Sequence, residues 1–178
     1  MQKNTQGFIA KGLGINANPT NKKRTAPKNR YHYQQAPSEP AYTPTIDYGP
    51  APFAVDIEKA TLANDNYRRT LWTGPHLQLT LMSINPGDDI GLEVHPDNDQ
   101  FLRIEQGSGE VQMGPHENTL AYSQQVYDGF AVFVPAGTWH NIINTGKEPM
   151  RIYAIYSPSH HPHGTVHETK EIAQIEGD

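Results

Sequence analysis

The stretch IGLEVHPDNDQFLRIEQGSGEV, residues 90–111, places a glutamate, a histidine and a glutamine at positions 93, 95 and 100. Carboxylate, imidazole and amide groups at this spacing form either a solvated strand face or one wall of a metal site whose remaining ligand lies elsewhere. The chain contains no cysteine, so disulfides and thiolate sites are excluded, and any metal must be held by His, carboxylate or amide groups.

The elements that would carry these residues are read from periodicity. Beyond residue 53, short runs of alternating or β-branched character cover 67–73, 77–84, 90–95, 100–105, 109–114, 120–127, 131–135, 140–144 and 150–156. Turn signals such as NPGD, GSG, YDG, PAGT and NTGKEP stand between them. Short strands about ten residues apart predict an antiparallel sandwich or barrel rather than βαβ units. Asp56–Asn64 reads as a short helix capped by Asp56. Thr165-x-x-Glu168 reads as a capping box opening a closing helix that packs Ile172 and Ile175. The QGSGE sequence reads as a hairpin turn and not as a nucleotide loop, so no organic cofactor site is expected.

Gly87 is followed at fixed intervals by Glu93, His95, Gln100 and Gly107, and Gly129 by Pro135, Gly137, His140 and Asn144. This pattern resembles the two motifs of the cupin superfamily. The second motif, GFAVFVPAGTWHNIIN at 129–144, matches at every defined position. The first, at 87–107, keeps every spacing but carries Glu93 where the family has its first His and Gln100 where it has Glu. The resemblance covers residues 67–156 and implies an all-β fold, the double-stranded β-helix or cupin jelly roll, in a domain spanning 53–178. It also implies that Glu93, His95, Gln100 and His140 bind one divalent transition metal, and that the protein is a metal-dependent enzyme acting on a small oxygenated molecule. Sugar or sugar-phosphate isomerase-like chemistry stands first, dioxygenase chemistry second, and a noncatalytic metal- or ligand-binding or structural role third.

Elementary chemistry supports the same four residues. Side chains two apart on a strand share a face, so Glu93 and His95 project together, and Gln100 begins the paired strand with Leu102 and Ile104 on its own face. Gly137 can adopt a positive φ in the PAG turn and aim His140 inward. Two imidazoles, a carboxylate and an amide oxygen suit Mn, Fe, Zn, Co or Ni and suit Cu(I) poorly.

Beyond the metal, Glu93, Tyr156, His161 and His167 are the candidate catalytic or substrate-contacting groups. His160 and His163 read as solvated members of a proline-punctuated loop. Arginines are few in the domain, and one of Arg68, Arg69, Arg103 or Arg151 pointing inward would suit a phosphate or carboxylate. Arg103 has the opposite parity to Gln100 and belongs, with Phe101, to the outer face. An outward aromatic predicts a covered sheet and hence a homodimer.

Charge is unevenly distributed. Residues 1–38 hold seven basic residues and no acid, a charge of +7, which leaves −12 for the rest of a chain whose net charge is −5. Residues 1–52 are rich in Pro, Asn and Gln without hydrophobic period, and ordering them would cost about 1–2 kcal/mol per residue without compensating burial. They are expected to be a disordered basic arm, with residues 1–38 available to an acidic partner. No run has the length of a secretory or membrane-spanning segment, and the expectation is a soluble, cytoplasmic protein.

Overall fold

Burial along Met150–Ser157 alternates without a break: Met150, Ile152, Ala154 and Tyr156 are buried, and the residues between them are half-buried. Such a two-residue period marks a strand with one face on a core. The computed structural model describes residues 46–176, and they form α1 (Ile57–Leu62), β1 (Arg68–Thr73), β2 (Gln78–Ile84), β3 (Asp99–Gln106), β4 (Ser108–Gly114), β5 (Tyr122–Tyr127), β6 (Ala131–Val134), β7 (Trp139–Asn144), β8 (Met150–Ser157), β9 (Val166–His167) and α2 (Lys170–Glu176). A six-stranded sheet runs β6-β3-β8-β2-β1-β9 and a three-stranded sheet runs β5-β4-β7. Every pairing is antiparallel. This is the expected all-β jelly roll, its main core lying between the sheets around Leu102, Ile104, Ile142 and Ile152.

A second apolar cluster lies on the outer face of the large sheet. Tyr48, Phe53, Val55, Ile57 and Ala60 pack there against Leu71, Leu79, Leu81 and Tyr153. The Tyr48 amide donates to Leu71 O at 2.9 Å, and Asp47, 9% exposed, accepts from Thr73 Oγ1 at 2.6 Å and Gly49 N at 3.0 Å. Residues 1–45 of the expected arm lie outside the described residues. Asp47, Tyr48 and Gly49 are held on the sheet by these contacts, so the disorder expectation is corrected for them.

Three further expectations are revised. Residues 90–95 form no strand. They are held to β7 by isolated bridges, Asp89 to Ile143 and Glu93 to His140, while β3 pairs with β6 and β8. QGSGE is not a hairpin either: Gly107, at φ 92°, turns the chain from β3 in one sheet into β4 in the other. Finally, the Thr165 hydroxyl donates to Pro162 O rather than capping a helix, and the chain first adds β9 beside β1. The closing helix starts at Lys170, buries Ala173 and leaves Ile175 84% exposed. It is anchored by Lys170 Nζ, 2.7 Å from both Asp88 Oδ1 and Asp89 Oδ1.

Candidate metal centre

The turn before β7 does the first positioning. Gly137 takes φ 76°, a conformation that a side chain would oppose, and its amide donates to His95 O at 2.8 Å. Two residues into β7, His140 and Glu93 exchange backbone hydrogen bonds, N to O, of 2.9 and 3.0 Å. The second motif thus grips Glu93 and His95 of the first through the main chain. Their side chains are brought to one point by backbone register, although no strand runs through 90–95.

Both imidazoles face one oxygen. His95 Nε2 and His140 Nε2 each lie 3.2 Å from Glu93 Oε1. His140 Nδ1 lies 3.0 Å from Thr138 O, and because a carbonyl only accepts, that nitrogen carries the hydrogen. In the neutral ring, His140 Nε2 therefore presents a lone pair. It is buried without a hydrogen bond of good geometry, although the carboxylate is close. Without a metal, a protonated Nε2 can donate to the carboxylate; with a neutral ring, the lone pair and the carboxylate oxygen are placed to share a divalent metal ion, and the residues fit one. Glu93, His95 and His140 place ligand atoms within 4.8 Å of one another and could hold one. Burial pushes the Glu93 carboxyl upward, but the His140 and His95 imidazoles and the Arg68 guanidinium outweigh it and hold the group well below the usual carboxylate range.

Gln100 sits inward on β3, 3% exposed, as parity requires. Its amide faces the Tyr156 hydroxyl, yet neither amide atom completes a hydrogen bond of good geometry. Tyr156 is fully buried, and burial raises its hydroxyl pKa against the smaller opposing effects of Arg68, Gln100 and Thr80.

The histidine loop after β8 closes over this group. The His160 ring packs on His95 with centroids 4.2 Å apart and on Tyr156 at 5.4 Å, and the His161 ring meets Tyr156 at 5.1 Å. His160 is thus half-buried against an expected ligand rather than solvated, which corrects the loop reading; His163 is exposed, with Nε2 2.9 Å from Gly49 O. Gln78 holds the loop in place. Fully buried, it accepts from His160 N at 3.2 Å and His161 N at 2.8 Å, and donates to His161 O at 2.7 Å and Thr73 Oγ1 at 2.9 Å. Burial first, and Arg68 next, pull the His161 pKa down to about 2. Burial and then His95 bring His160 to about 4. His167 is turned toward α2, its Nε2 3.2 Å from Glu176 Oε2.

Sequence reasoning missed Gln78 and underrated His160. Nothing local distinguishes a glutamine at a strand start, and its bonds to the loop span 82 and 83 residues. Of the arginines that could point inward, Arg68 does, with its Nη2 3.7 Å from Glu93 Oε2.

Comparison with known proteins agrees with this architecture. Residues 80–156 match the cupin domain family. The chain is 60% identical over 124 residues to the uncharacterized protein YrkC of Bacillus subtilis (strain 168), covering 70% of this chain and 67% of that one. It belongs to the cupin family. A second relative of this cupin is the uncharacterized protein L612 of Acanthamoeba polyphaga mimivirus, 43% identical over 115 residues, with 64% of this chain and 70% of that one covered. The crystal structure of BH2720 from Bacillus halodurans superposes on the cupin with a TM-score of 0.72 at 58% identity, covering 73% of this chain and 98% of that one. Among the described residues, no helix is long and apolar enough to cross a membrane.

Proposed function

We propose that this cupin is a metal-dependent enzyme that takes a small oxygenated molecule at the histidine-lined end of its barrel. The observation that carries the reading is the convergence of His95 Nε2 and His140 Nε2 on Glu93 Oε1, with the His140 tautomer set by Thr138. Gln100, whose buried amide lacks a well-formed hydrogen bond, is the fourth ligand in this account. The donor set suits Mn, Fe, Co, Ni or Zn. Such an ion supplies either Lewis acidity toward a carbonyl or, if redox-active, electrons for oxygen chemistry.

The chain's own groups define the rest of the site. His160, His161 and Tyr156 form an aromatic wall beside the ligands, and burial keeps both imidazoles neutral near pH 7. They orient a substrate by hydrogen bonds and exclude water, and they are weak proton acceptors. Isomerisation of a sugar or sugar phosphate needs a group that moves a proton between adjacent carbons. Among the described residues at the ligand cluster, Glu93 is the carboxylate, and it is committed as a ligand. That observation favours the second reading, a dioxygenase, over the isomerase form that the sequence resemblance puts first.

Elemental analysis of protein purified without added metal tests the shared part of both readings. The expected result is close to one equivalent of a transition metal, or uptake to about one equivalent on titration. Less than about a tenth of an equivalent, with no uptake, would leave the noncatalytic role instead. Oxygen consumption against a panel of enediols and hydroxyketones, set beside aldose–ketose interconversion of sugar phosphates, then separates the two chemistries.

A further inference from the structure

The two oxygens of Glu93 are divided between unlike partners. Oε1 faces both imidazoles, and Oε2 faces the Arg68 guanidinium at 3.7 Å, too long for a hydrogen bond but an ion pair between largely buried groups. The placement of Arg68 is determined on several sides. Its backbone lies in register with Met82 of β2 and His167 of β9, and its side chain is fully buried. The guanidinium carbon lies 5.5 Å from the centroid of the Tyr67 ring. The Tyr67 hydroxyl in turn donates to Ile90 O at 2.7 Å, three residues before Glu93. Tyr67, Arg68 and the segment carrying Glu93 are thus tied together at both ends.

We propose that Arg68 is a positioning residue that holds Oε2 away from the metal, making Glu93 a one-oxygen ligand and leaving for substrate the coordination that a chelating carboxylate would occupy. This rests on the metal reading above. A carboxylate free to rotate can offer a hard divalent ion either one oxygen or both. A fixed cation beside Oε2 opposes the second mode, because turning that oxygen toward the ion would separate the buried pair. The same arrangement removes Glu93 from the proton-carrying groups, since one oxygen is a ligand and the other faces a permanent cation. Neutral Met at position 68 would fill similar space without opposing chelation. Lys would keep the charge but lose the planar fork.

The test uses the full chain loaded with zinc, and infrared difference spectra of loaded minus metal-free protein. In the wild type, the separation between the antisymmetric and symmetric carboxylate stretches should be wider than for a free carboxylate, the signature of one-oxygen ligation. In Arg68→Met it should narrow toward the chelating value, with the zinc dissociation constant altered by about 10- to 100-fold, the usual effect of losing a partner of a ligand. Arg68→Lys should restore the wide separation. If Arg68→Met does not fold, the wild-type spectrum still decides: a narrow separation there overturns the proposal. So does a wide separation that persists in folded Arg68→Met. Zinc uptake with a chelating signature overturns the role of Arg68 alone, whereas a flat zinc titration removes the metal reading as well.

Discussion

Glu93 and His140 are joined twice, by paired backbone hydrogen bonds of 2.9 and 3.0 Å and by an approach of 3.2 Å between His140 Nε2 and Glu93 Oε1. The backbone pairing sets the distance, and the side-chain approach puts it to chemical use. Because His140 is fully buried and its other ring nitrogen is bound to Thr138, it cannot rotate away from the site without losing that bond.

Replacing His140 by Ala should therefore reduce metal binding far more than it disturbs the fold. Metal bound only to the folded state adds stability by mass action, about 2.7 kcal/mol at a hundredfold excess over the dissociation constant. Melting with and without metal measures this: the wild type should gain stability on loading and His140→Ala should gain little. An equal gain in the variant would remove His140 from the ligand set.

Gln78 governs the loop that brings His160 onto His95. Gln78→Leu keeps the bulk but leaves the buried His161 amide without its acceptor, at about 1–3 kcal/mol, and the part-buried His160 amide as well at a smaller cost. Urea unfolding should show a loss of that order, and proteolysis should newly cut within 158–163. Unchanged stability would mean that the loop is held by other contacts.

Stability should also fall on mild acidification. The ordinary His value is 6.5, and burial lowers His160 to about 4 and His161 to about 2. With folded values below unfolded ones, the unfolded chain takes up more protons as pH falls, so the contribution is complete above about 6.5 and is lost below it. The His160 contribution levels off near its folded value of about 4 and that of His161 continues toward about 2. The slope approaches about 1.4 kcal/mol per pH unit for the buried His161 and is smaller for half-exposed His160, where solvent screens the charge. Denaturant titrations of metal-free protein at pH 7 and 5 should show this, and His161→Gln should flatten the slope. Identical stability at both pH values would contradict it.

The outer face of the large sheet yields a prediction about assembly. Segment 46–62 covers its β1–β2 side, while Phe133, 70% exposed, and Phe101 pack edge to face with centroids 5.1 Å apart on the β6–β3 side. They border a cavity of about 340 Å³ lined also by Val134, Pro135 and Ile155. Burial of this strip in a homodimer is the expected outcome, and Phe133→Glu should halve the mass seen by light scattering at micromolar concentration. A monomeric wild type would contradict it.

Local chemistry made the turns and the inward strand faces legible. Gly137 announced a positive-φ turn, and Gln100, Leu102 and Ile104 share the buried face that their spacing required. Asp56 caps α1 through its bond to Lys59 N. Long-range partners decided what could not be read. Residues 90–95 have strand-like composition, but they meet β7 only through the Ile90 N to Ile142 O bond and the Glu93–His140 bridge, and Leu92 is 40% exposed. Thr165 and Glu168 have capping-box spacing, yet β1 recruits the chain as a further strand before the helix can start. His160 looks like a loop residue until Gln78 places it. The N-terminal arm over 1–45 lies outside the described residues, and its acidic partner stays an expectation from charge.

X-ray absorption at the metal edge of the loaded protein reads the ligands around the ion and so bears on whether Glu93, His95 and His140 hold it. The expected result is a shell of nitrogen and oxygen at about 2.0–2.2 Å if the ion is zinc, with outer-shell scattering from two imidazoles per metal, falling to one in His140→Ala. A metal that shows no imidazole scattering, or the same two imidazoles in that variant, would place the ion elsewhere and contradict the assignment of Glu93, His95 and His140 as its site.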